Sequence, residues 1–558
     1  MGSVEDRTPA GVKLPTIKLD TTLAELYRQA CPENAGIRLG WVSCGITSGV
    51  NLTPDFPRNT KFVYEDQVLI KAPSHDLNSG NTSLRRSLAK KYLSHISQRD
   101  AFISGNTPVI LFNLGRTPKE AEHDRRDAEA TISVLDPSQR PELIFCPGPS
   151  NIPMEEHGLD KLQYKVILDG LEKYPLTHDL ETHWFLNSKA ALARSGLPTP
   201  ASDLIETQGY PPPAETCCPL CAVLATDTSR LPSIPARCTG PRGAWLAAQT
   251  SRILAAVRAR PVPFVLKTQQ AFGGAGTWLV TTQAQKTQLL ADLAGTTPKS
   301  GEGKGKEDGG LLAKLLPLVT KENAHLSPTT LLLTDLIPQS KPASSTGGES
   351  EDGDGGGDYG LTFIVASSER AHFLAAAEQM LTSDGSSAWI GSTIHYDRQE
   401  KLRARFAGLM GKVAEWVARH GYAGPVGVDV LTSGESSSSS EEGSTGDSGD
   451  GDGGGGCFIV DLNVRTCGSV SLPLLRGHFT TRGLWCASSF SIGVQGGRRE
   501  FIEKWRGEFE EGRMLILSWY EDPREGGSIA DVVVGGEDEG RLKELMGRVR
   551  ESTEEVTF

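Results

Sequence analysis

Polar and apolar side chains alternate along one stretch near the end of the chain, Phe458–Thr466. Successive side chains of a strand point to opposite faces, so the pattern predicts an apolar face formed by Phe458, Val460, Leu462 and Val464. The other face carries a carboxylate, an amide oxygen and a guanidinium, from Asp461, Asn463 and Arg465. Hard divalent cations take oxygen ligands, and a guanidinium suits phosphate or carboxylate. Taken alone, the row is more typical of the solvated face of an ordinary half-buried strand, with a metal or anion site as the alternative.

The first third of the chain alternates apolar runs with segments of helical periodicity. The runs predict buried strands at Ile37–Ser43, Pro108–Asn113 and Glu142–Cys146. Strands that alternate with helices indicate a parallel α/β layer, so we predict an open-sheet domain over residues 1–180. A helix is then predicted over Leu180–Gly196, with Lys189 inside it and Pro198 preventing its continuation. A lysine in a helix is most often solvated.

A glycine-rich loop, Gln270–Gly276, lies between predicted strands at Pro263–Thr268 and Thr277–Thr282. It is not a Walker A loop, because no Gly-Lys-Ser/Thr ends it, and no helix follows as in a dinucleotide fingerprint. Glycine backbone N–H groups can approach phosphates closely, and Lys267 adds a positive charge on the strand that enters the loop. The loop alone is equally compatible with phosphate binding and with a mobile hairpin tip.

The second half of the chain predicts further elements and two breaks. We predict strands at Leu331–Pro338, Tyr359–Ser367 and Gly424–Leu431, and helices at Ala371–Leu381, Asp397–Gly421 and Arg499–Glu510. The acidic, glycine-rich segments 339–358 and 435–456 cannot bury a core and are predicted to be disordered. Two strands joined by a long loop pair most simply as neighbours. We therefore expect Asp429 beside Asp461 and Asn463.

Length and charge indicate how many domains to expect and which kinds of partner to exclude. A chain of 558 residues should divide into about three or four domains. Its net charge of −12 comes largely from two segments without any base, with five acids in 346–358 and six in 435–456. The remainder is close to neutral, which argues against a nucleic-acid partner. No apolar run reaches the ~18 residues of a membrane span, and the acidic N-terminus is unlike a signal peptide, so a cytoplasmic protein is expected.

Four of the ten cysteines lie in the proline-rich segment 208–243: Cys217, Cys218, Cys221 and Cys238. Cys218 and Cys221 have the spacing of a zinc half-site, but no second C-x2-C or H-x3-H pair follows. The sequence favours an irregular loop with reduced thiols over a metal site. Ten cysteines in so long a chain do not indicate a disulfide framework.

Taken in order, these pieces resemble the ATP-grasp superfamily, and in particular a group of fungal ATP-grasp-domain proteins of poorly defined function. The resemblance rests on Lys189 in a helix ending Gly-Leu-Pro-Thr-Pro, Lys267 before the glycine loop, the strand ending at Asp335, then Asp429, and the run Asp461–Arg465. It implies a mixed α/β (α+β) chain, with an ATP-grasp fold behind an open-sheet α/β domain.

The resemblance also implies a division of the chain. A pre-ATP-grasp domain would cover 1–180, and an N-terminal ATP-grasp subdomain with the glycine-loop lid would cover 181–338. The linker 339–358 would lead to a C-terminal subdomain with the metal site over 359–497, interrupted by the insertion 435–456. A C-terminal α/β segment would cover 498–558.

Site residues follow from the resemblance. Lys189 and Lys267 are implied to contact the ATP phosphates under a loop that contains Gly273, Gly274 and Gly276. The strand 331–337 is implied to give backbone contacts to adenine from Leu333 and Ile337, with Asp335 near adenine or ribose. The implied ligands of Mg2+, or of Mn2+ in its place, are Asp429, Asp461 and Asn463. Arg465 and Lys267 are the implied catalytic groups, which face the transferred phosphoryl group.

The implied activity is that of an ATP-dependent carboxylate–amine ligase. It would phosphorylate a small carboxylate, and an amine or a thiol would then attack the acyl phosphate. The rival hypotheses are a phosphotransferase of the same fold and a nucleotide-binding protein with little or no turnover. The expected partners are small-molecule carboxylate and amine substrates, with neither nucleic acid nor membrane, and a homodimer is compatible with the resemblance.

Overall fold

Three β-sheets organise the chain in the computed structural model. It describes residues 8–66, 69, 82–115, 117–226, 231–271, 276–295, 310–338, 357–382, 389–432, 456–522 and 526–556. Parallel and antiparallel sheets occur together with helices, so the predicted mixed α/β class is confirmed. None of the described helices is both long and apolar enough to cross a membrane.

The first sheet is parallel and has four strands in the order β3-β2-β1-β4. Its strands are β1 (Leu39–Val42), β2 (Pro108–Phe112), β3 (Glu142–Cys146) and β4 (Lys161–Tyr164). The accompanying helices are α1 (Leu23–Ala30), α2 (Thr82–Ser104) and α3 (Pro118–Ile132). Every residue of β2 is buried, as expected for a central parallel strand covered on both faces. The predicted open sheet is therefore present.

The second sheet is antiparallel, in the order β5-β8-β6-β7. Its elements in chain order are α4 (Leu180–Leu186), α5 (Lys189–Arg194), β5 (Ser202–Ile205), α6 (Pro219–Ala225), α7 (Pro241–Ala259), β6 (Phe264–Thr268), β7 (Thr277–Val280), α8 (Gln283–Ala294), α9 (Leu311–Leu315) and β8 (Leu331–Asp335). One helix was predicted where α4 and α5 stand. The break is local, because the hydroxyl of Ser188 caps α5 by accepting from the backbone N–H of Ala191.

The third sheet is antiparallel and has nine strands. Its elements are β9 (Asp358–Val365), β10 (Ala371–Leu381), β11 (Trp389–His395), α10 (Gln399–Arg419), β12 (Gly424–Thr432), β13 (Cys457–Asn463), α11 (Ser471–Leu474), α12 (Arg476–Thr480), β14 (Cys486–Gln495), α13 (Arg498–Lys504), α14 (Arg506–Glu510), β15 (Met514–Glu521), β16 (Gly527–Gly536), α15 (Glu539–Glu551) and β17 (Glu554–Glu555). The order is β13-β12-β9-β10-β11-β14-β16-β15, with β17 beside β14. Strands from 498–558 thus pair in the same sheet as strands from 359–497.

One predicted helix is wrong, and another is divided in two. Ala371–Leu381 is strand β10, which pairs with β9 on one side and β11 on the other. Its central alanines are buried, so tertiary pairing overrides their helical propensity. The predicted helix over Arg499–Glu510 is divided at Trp505 into α13 and α14.

The two predicted disordered segments lie almost entirely outside the described residues. Asp358 is an exception, because it begins strand β9 instead of ending a linker. Burial raises the pKa of this carboxyl to about 6. The ends of the other segment are held together, since Thr432 and Cys457 are partners in the β12–β13 ladder.

Candidate active site

The predicted row of polar residues lies on β13, at the edge of the large sheet. Strand β13 pairs with β12 so that Asp461 stands opposite Asp429 and Asn463 stands opposite Gly427. The expected adjacency of the two carboxylates is therefore confirmed. The side chain of Gln379 on β10 donates a hydrogen bond of 2.8 Å to Oδ1 of Asp429 and fixes this carboxyl.

The prediction of an apolar face on this stretch is wrong for its first two residues, Phe458 and Val460. The register between β12 and β13 shifts after Asp429, which leaves Val460 as an extra residue on β13. The bulge reverses the alternation, so Ile459 is buried while Phe458 and Val460 are only half-buried. Leu462 and Val464 keep their predicted place in the core.

The same bulge provides a contact for Lys267. Its Nζ donates a hydrogen bond of 2.6 Å to the backbone carbonyl of Val460, the extra residue. Because Lys267 lies on β6 of the second sheet, the contact joins two sheets at the polar row. Burial lowers the pKa of Lys267 to about 8, against the opposing charges of Asp461 and Asp429.

Lys189 reaches the same place from the first position of α5. Its Nζ donates to Oδ1 of Asp461 at 2.9 Å, and only 9% of its side chain is exposed. The solvated lysine that is the usual expectation is thus not found. The backbone N–H of Lys189 donates to the carbonyl of Gln269 at 3.2 Å, so α5 begins against the end of the strand that carries Lys267.

The two carboxyl groups differ in their electrostatic surroundings. Burial raises the pKa of Asp429 to about 8, and the charges of Asp461 and Asp358 act in the same direction. Burial would also raise the pKa of Asp461, but the positive charges of Lys189 and Lys267 hold it below its usual range. Two neighbouring carboxyls, both half-buried, form with the amide oxygen of Asn463 a donor set that suits a hard divalent cation.

Arg465 is oriented by Asn187, which lies in the break between α4 and α5. Oδ1 of Asn187 accepts from Nη1 of Arg465 at 2.7 Å and from the backbone N–H of Val464 at 3.0 Å. The side chain that holds the guanidinium therefore also holds the end of β13. Sequence reasoning missed Asn187, although the interruption of an otherwise regular helix by Asn187-Ser188 was a visible signal.

Asp429, Asp461, Asn463 and Arg465 line a cleft of about 220 Å³. The first domain contributes three basic side chains to its lining, from His95 and Arg99 on α2 and from Lys165 after β4. No motif in the sequence indicated these residues. These residues are distant in sequence from the carboxyl groups that line the cleft, and only the folded chain brings them there.

Buried aspartates contact each of these three basic side chains. Nζ of Lys165 donates to both carboxylate oxygens of Asp100, at 2.9 and 2.8 Å. Arg99 lies 3.3 Å from one oxygen of Asp531, and Nε2 of His95 lies 3.0 Å from the other. Anchored in this way, the first domain presents a basic wall, formed by His95, Arg99 and Lys165, in the cleft that contains the two carboxyls.

Those of the remaining predicted residues that the structure describes do not line this cleft. Gly273 and Gly274 lie outside the described residues, whereas the carbonyl of Gly276 accepts from the N–H of Thr268 at 2.9 Å and closes the β6–β7 hairpin. The three predicted adenine contacts are elsewhere: Leu333 is buried between β5 and β6, Asp335 pairs with Arg260 at the end of β8, and Ile337 is half-buried beyond it. Their assignment to the nucleotide stays a prediction.

No protein-family model matches the chain, and no curated protein sequence matches it. Solved structures resemble it, among them N5-carboxyaminoimidazole ribonucleotide synthetase from Thermus thermophilus, at 12% identity over 83% of this chain and 98% of that one (TM-score 0.42). An L-amino acid ligase from Bacillus licheniformis has 11% identity, over 81% and 93% (TM-score 0.43). Phosphoribosylamine–glycine ligase from Thermotoga maritima has 11% identity, over 75% and 92% (TM-score 0.39). These are ATP-grasp proteins, and the likeness concerns the course of the fold alone.

Proposed function

We propose that this chain is an ATP- and Mg2+-dependent ligase that activates a small carboxylate as an acyl phosphate for attack by an amine or a thiol. The observation that carries the proposal is the convergence of separate elements on strand β13, whose Asp461 and Asn463 line the cleft. Lys189 from α5, Lys267 from β6 and Asp429 from β12 all meet the polar row of β13. Neither a solvated strand face nor a mobile hairpin tip requires this convergence.

The oxygen donors fit a divalent cation. Asp429, Asp461 and Asn463 are the residues that would hold Mg2+, which when bound neutralises charge on the nucleotide phosphates. Without a cation, Asp461 is balanced by Lys189 through their 2.9 Å contact. We expect Lys189 to turn from this carboxylate to a phosphate oxygen when the nucleotide binds, because a phosphate offers more negative charge than one carboxylate.

Arg465 and Lys267 are assigned to the transferred phosphoryl group. Phosphoryl transfer depends mainly on positioning and on stabilising charge, not on proton transfer. The guanidinium of Arg465 is already oriented by Asn187, and a fixed fork of donors matches phosphate oxygens. The side chain of Lys267 is half-buried, so solvent screens its charge less than that of an exposed lysine.

The basic wall supports a carboxylate as the substrate. Arg99 and Lys165 would attract an anion and hold it opposite the phosphates, with its oxygen directed at the γ-phosphorus. This oxygen bonds to phosphorus as ADP leaves, the nucleophile then bonds to the acyl carbon as inorganic phosphate leaves, and the amine or thiol loses a proton. A cleft of about 220 Å³ suits a small acid.

The proposal is tested by a screen of small carboxylates and amino acids, in pairs, for ADP release with ATP and Mg2+. A ligase releases ADP and phosphate only when a carboxylate and a nucleophile are both present. ADP release that needs no nucleophile and leaves a stable phosphorylated product would indicate the phosphotransferase. Binding of ATP with no ADP release for any pair would favour the nucleotide-binding protein and contradict a ligase.

A further inference from the structure

The segment between β5 and α7 brings four thiols together. The Sγ atoms of Cys217, Cys218, Cys221 and Cys238 all lie within 4.8 Å of one another. Among the described residues this is the one such group of three or more metal-ligating side chains. The sequence favoured an irregular loop with reduced thiols, and the four thiols are free, but the segment is not wholly irregular because Cys221 lies within helix α6.

The spacing of the thiols matches a tetrahedral metal centre. Sγ of Cys238 lies 3.5 Å from that of Cys217, 3.8 Å from that of Cys218 and 3.5 Å from that of Cys221. Four sulfurs at about 2.3 Å from a central Zn2+ would be separated by about 3.8 Å, the edge of the tetrahedron. The observed distances are far longer than a disulfide bond of about 2.05 Å, so the thiols surround a common centre without being joined in pairs.

Backbone N–H groups are directed at the sulfurs, as they are around metal-bound thiolates. Gly240 and Gly243 donate to the Cys238 thiol, and the N–H of Arg242 donates to Sγ of Cys217 at 3.4 Å. Glycine is required at both positions, because the backbone there passes very close to Cys217 and Cys238. A Cβ on Gly240 would lie 2.6 Å from Sγ of Cys217, and one on Gly243 would lie 2.0 Å from the carbonyl oxygen of Cys238. Such donors stabilise negative charge on sulfur.

We propose that Cys217, Cys218, Cys221 and Cys238 bind one structural Zn2+ ion. Four thiolates leave no open position on the metal, which is typical of a structural site and not of a catalytic one. Binding converts four thiols to thiolates and releases four protons, so it is expected to weaken as the pH falls. The ion ties α6 to the beginning of α7 across the segment between Cys221 and Cys238. The assignment is independent of the proposed ligase activity, since none of the four thiols lines the cleft.

The first test is the metal content of the full-length protein purified without added metal and without chelator. We expect about one equivalent of zinc per chain, measured by inductively coupled plasma mass spectrometry. Protein that is stripped of metal and refilled with Co2+ should show the strong near-ultraviolet charge-transfer bands and the visible bands of tetrahedral Co2+ bound by thiolates. Less than about 0.1 equivalent of zinc, or iron in its place, would overturn the assignment.

The second test separates these cysteines from the others. Cys221→Ser should lose at least about nine-tenths of the bound zinc, whereas the control Cys457→Ser, outside the cluster, should keep it. Because Cys221 is buried and its variant can fail to fold, thiol alkylation of the parent protein provides a second measurement. Zinc should protect all four cysteines from iodoacetamide, and removal of the ion should expose them. Two disulfides in the freshly purified protein, or alkylation that zinc does not slow, would contradict the proposal.

Discussion

The carboxylate cluster and the cysteine cluster are both groups of potential metal ligands, but they are built in opposite ways. Asp461 retains 32% exposure, lines an open cleft and is in contact with a lysine. Cys221 is 1% exposed, and the thiols around it face one another. Oxygen donors beside a cleft leave room for an ion that arrives with a substrate. Four sulfurs around one metal ion fill all of its tetrahedral positions and leave no position open for a substrate.

The surroundings of the two clusters lead to the same distinction. The carboxylates are fixed by a β-ladder and by side chains from two other elements, Gln379 and Lys189. The thiols are fixed by a short helix, by backbone N–H groups and by glycines that permit close approach. Hydrogen bonds and an ion pair between side chains hold the first arrangement, whereas the zinc ion proposed above would hold the second. We infer that metal exchange is tolerated at the carboxylates and is destructive at the thiols.

The largest expected effect is on turnover. Asp461→Asn keeps the size of the side chain and removes one negative charge from the oxygen donors, so Mg2+-dependent ADP formation should fall by about 100-fold or more. The measurement is steady-state ADP release with the substrate pair found in the screen.

The control for this change is a buried side chain directly after the same strand. Val464→Ala should cost about 2 kcal/mol of stability through a cavity while most of the activity is kept. Equal ADP formation by Asp461→Asn and the parent would show that the polar row is only a strand face.

The buried histidines lead to a prediction about how stability depends on pH, and this prediction involves neither proposed metal site. Burial lowers the pKa of His178 and of His478 to about 4 in the folded protein. The unfolded chain binds these protons near pH 6.5, so the stability from each neutral histidine is complete above that pH and is lost as the pH falls towards 4. At about 1.4 kcal/mol for each pKa unit, the loss is about 3 kcal/mol for each histidine.

Urea unfolding between pH 7 and pH 4 measures this loss. His478→Gln should flatten the pH profile, whereas His372→Gln, at an exposed position of β10, should leave it unchanged. A profile in which His478→Gln falls as steeply as the parent would contradict the assignment of this acid sensitivity.

ATP with Mg2+ should stabilise the fold through Lys267. Nucleotide at about 100 times its dissociation constant adds about 2.7 kcal/mol, which a thermal-shift titration detects. Lys267→Ala should lose most of this gain, because the lysine contacts the strand beside the oxygen donors. Lys543→Ala, on the exposed face of α15, is the matched control. An unchanged nucleotide-induced shift in Lys267→Ala would remove Lys267 from the phosphate site.

The smallest effect is expected for the insertion 435–456. Because Thr432 and Cys457 are already paired, a short Gly/Ser turn can join β12 to β13 without moving either strand. Each halving of loop length changes the closure free energy by only about 0.6 kcal/mol, so the melting temperature should hardly change. A large loss of folded protein on this replacement would show that the segment contributes to the core.

The sequence predicted those features that depend on local pattern. The parallel strands of the first sheet, the hairpin with Lys267 and the pairing of Asp429 with Asp461 all follow from runs of apolar residues and from the order of the strands along the chain. It could not predict the bulge at Val460, because strict alternation was the only available rule and the extra residue depends on the partner strand. The strand β10 was missed for a related reason, since alanines favour a helix until two neighbouring strands are in place.

The candidate site residues that were missed depend on contacts between distant segments. Arg99 and Lys165 reach the cleft only through the packing of the first domain on the large sheet. Cys217 and Cys238 are separated by a proline-rich segment with no regular spacing, so a search for two C-x2-C pairs finds only half of the cluster. Asn187 acts through a break between two helices that the apolar periodicity had joined.

The account depends most directly on a magnesium–nucleotide site at the carboxylates. Isothermal titration calorimetry of the parent, Asp461→Asn and Val464→Ala with a non-hydrolysable ATP analogue, with and without Mg2+, measures it. We expect Mg2+ to tighten nucleotide binding by about 10-fold or more in the parent and in Val464→Ala, and this dependence to disappear in Asp461→Asn. The same dependence on Mg2+ in all three proteins would contradict the assignment of Asp461 and its neighbours to the metal.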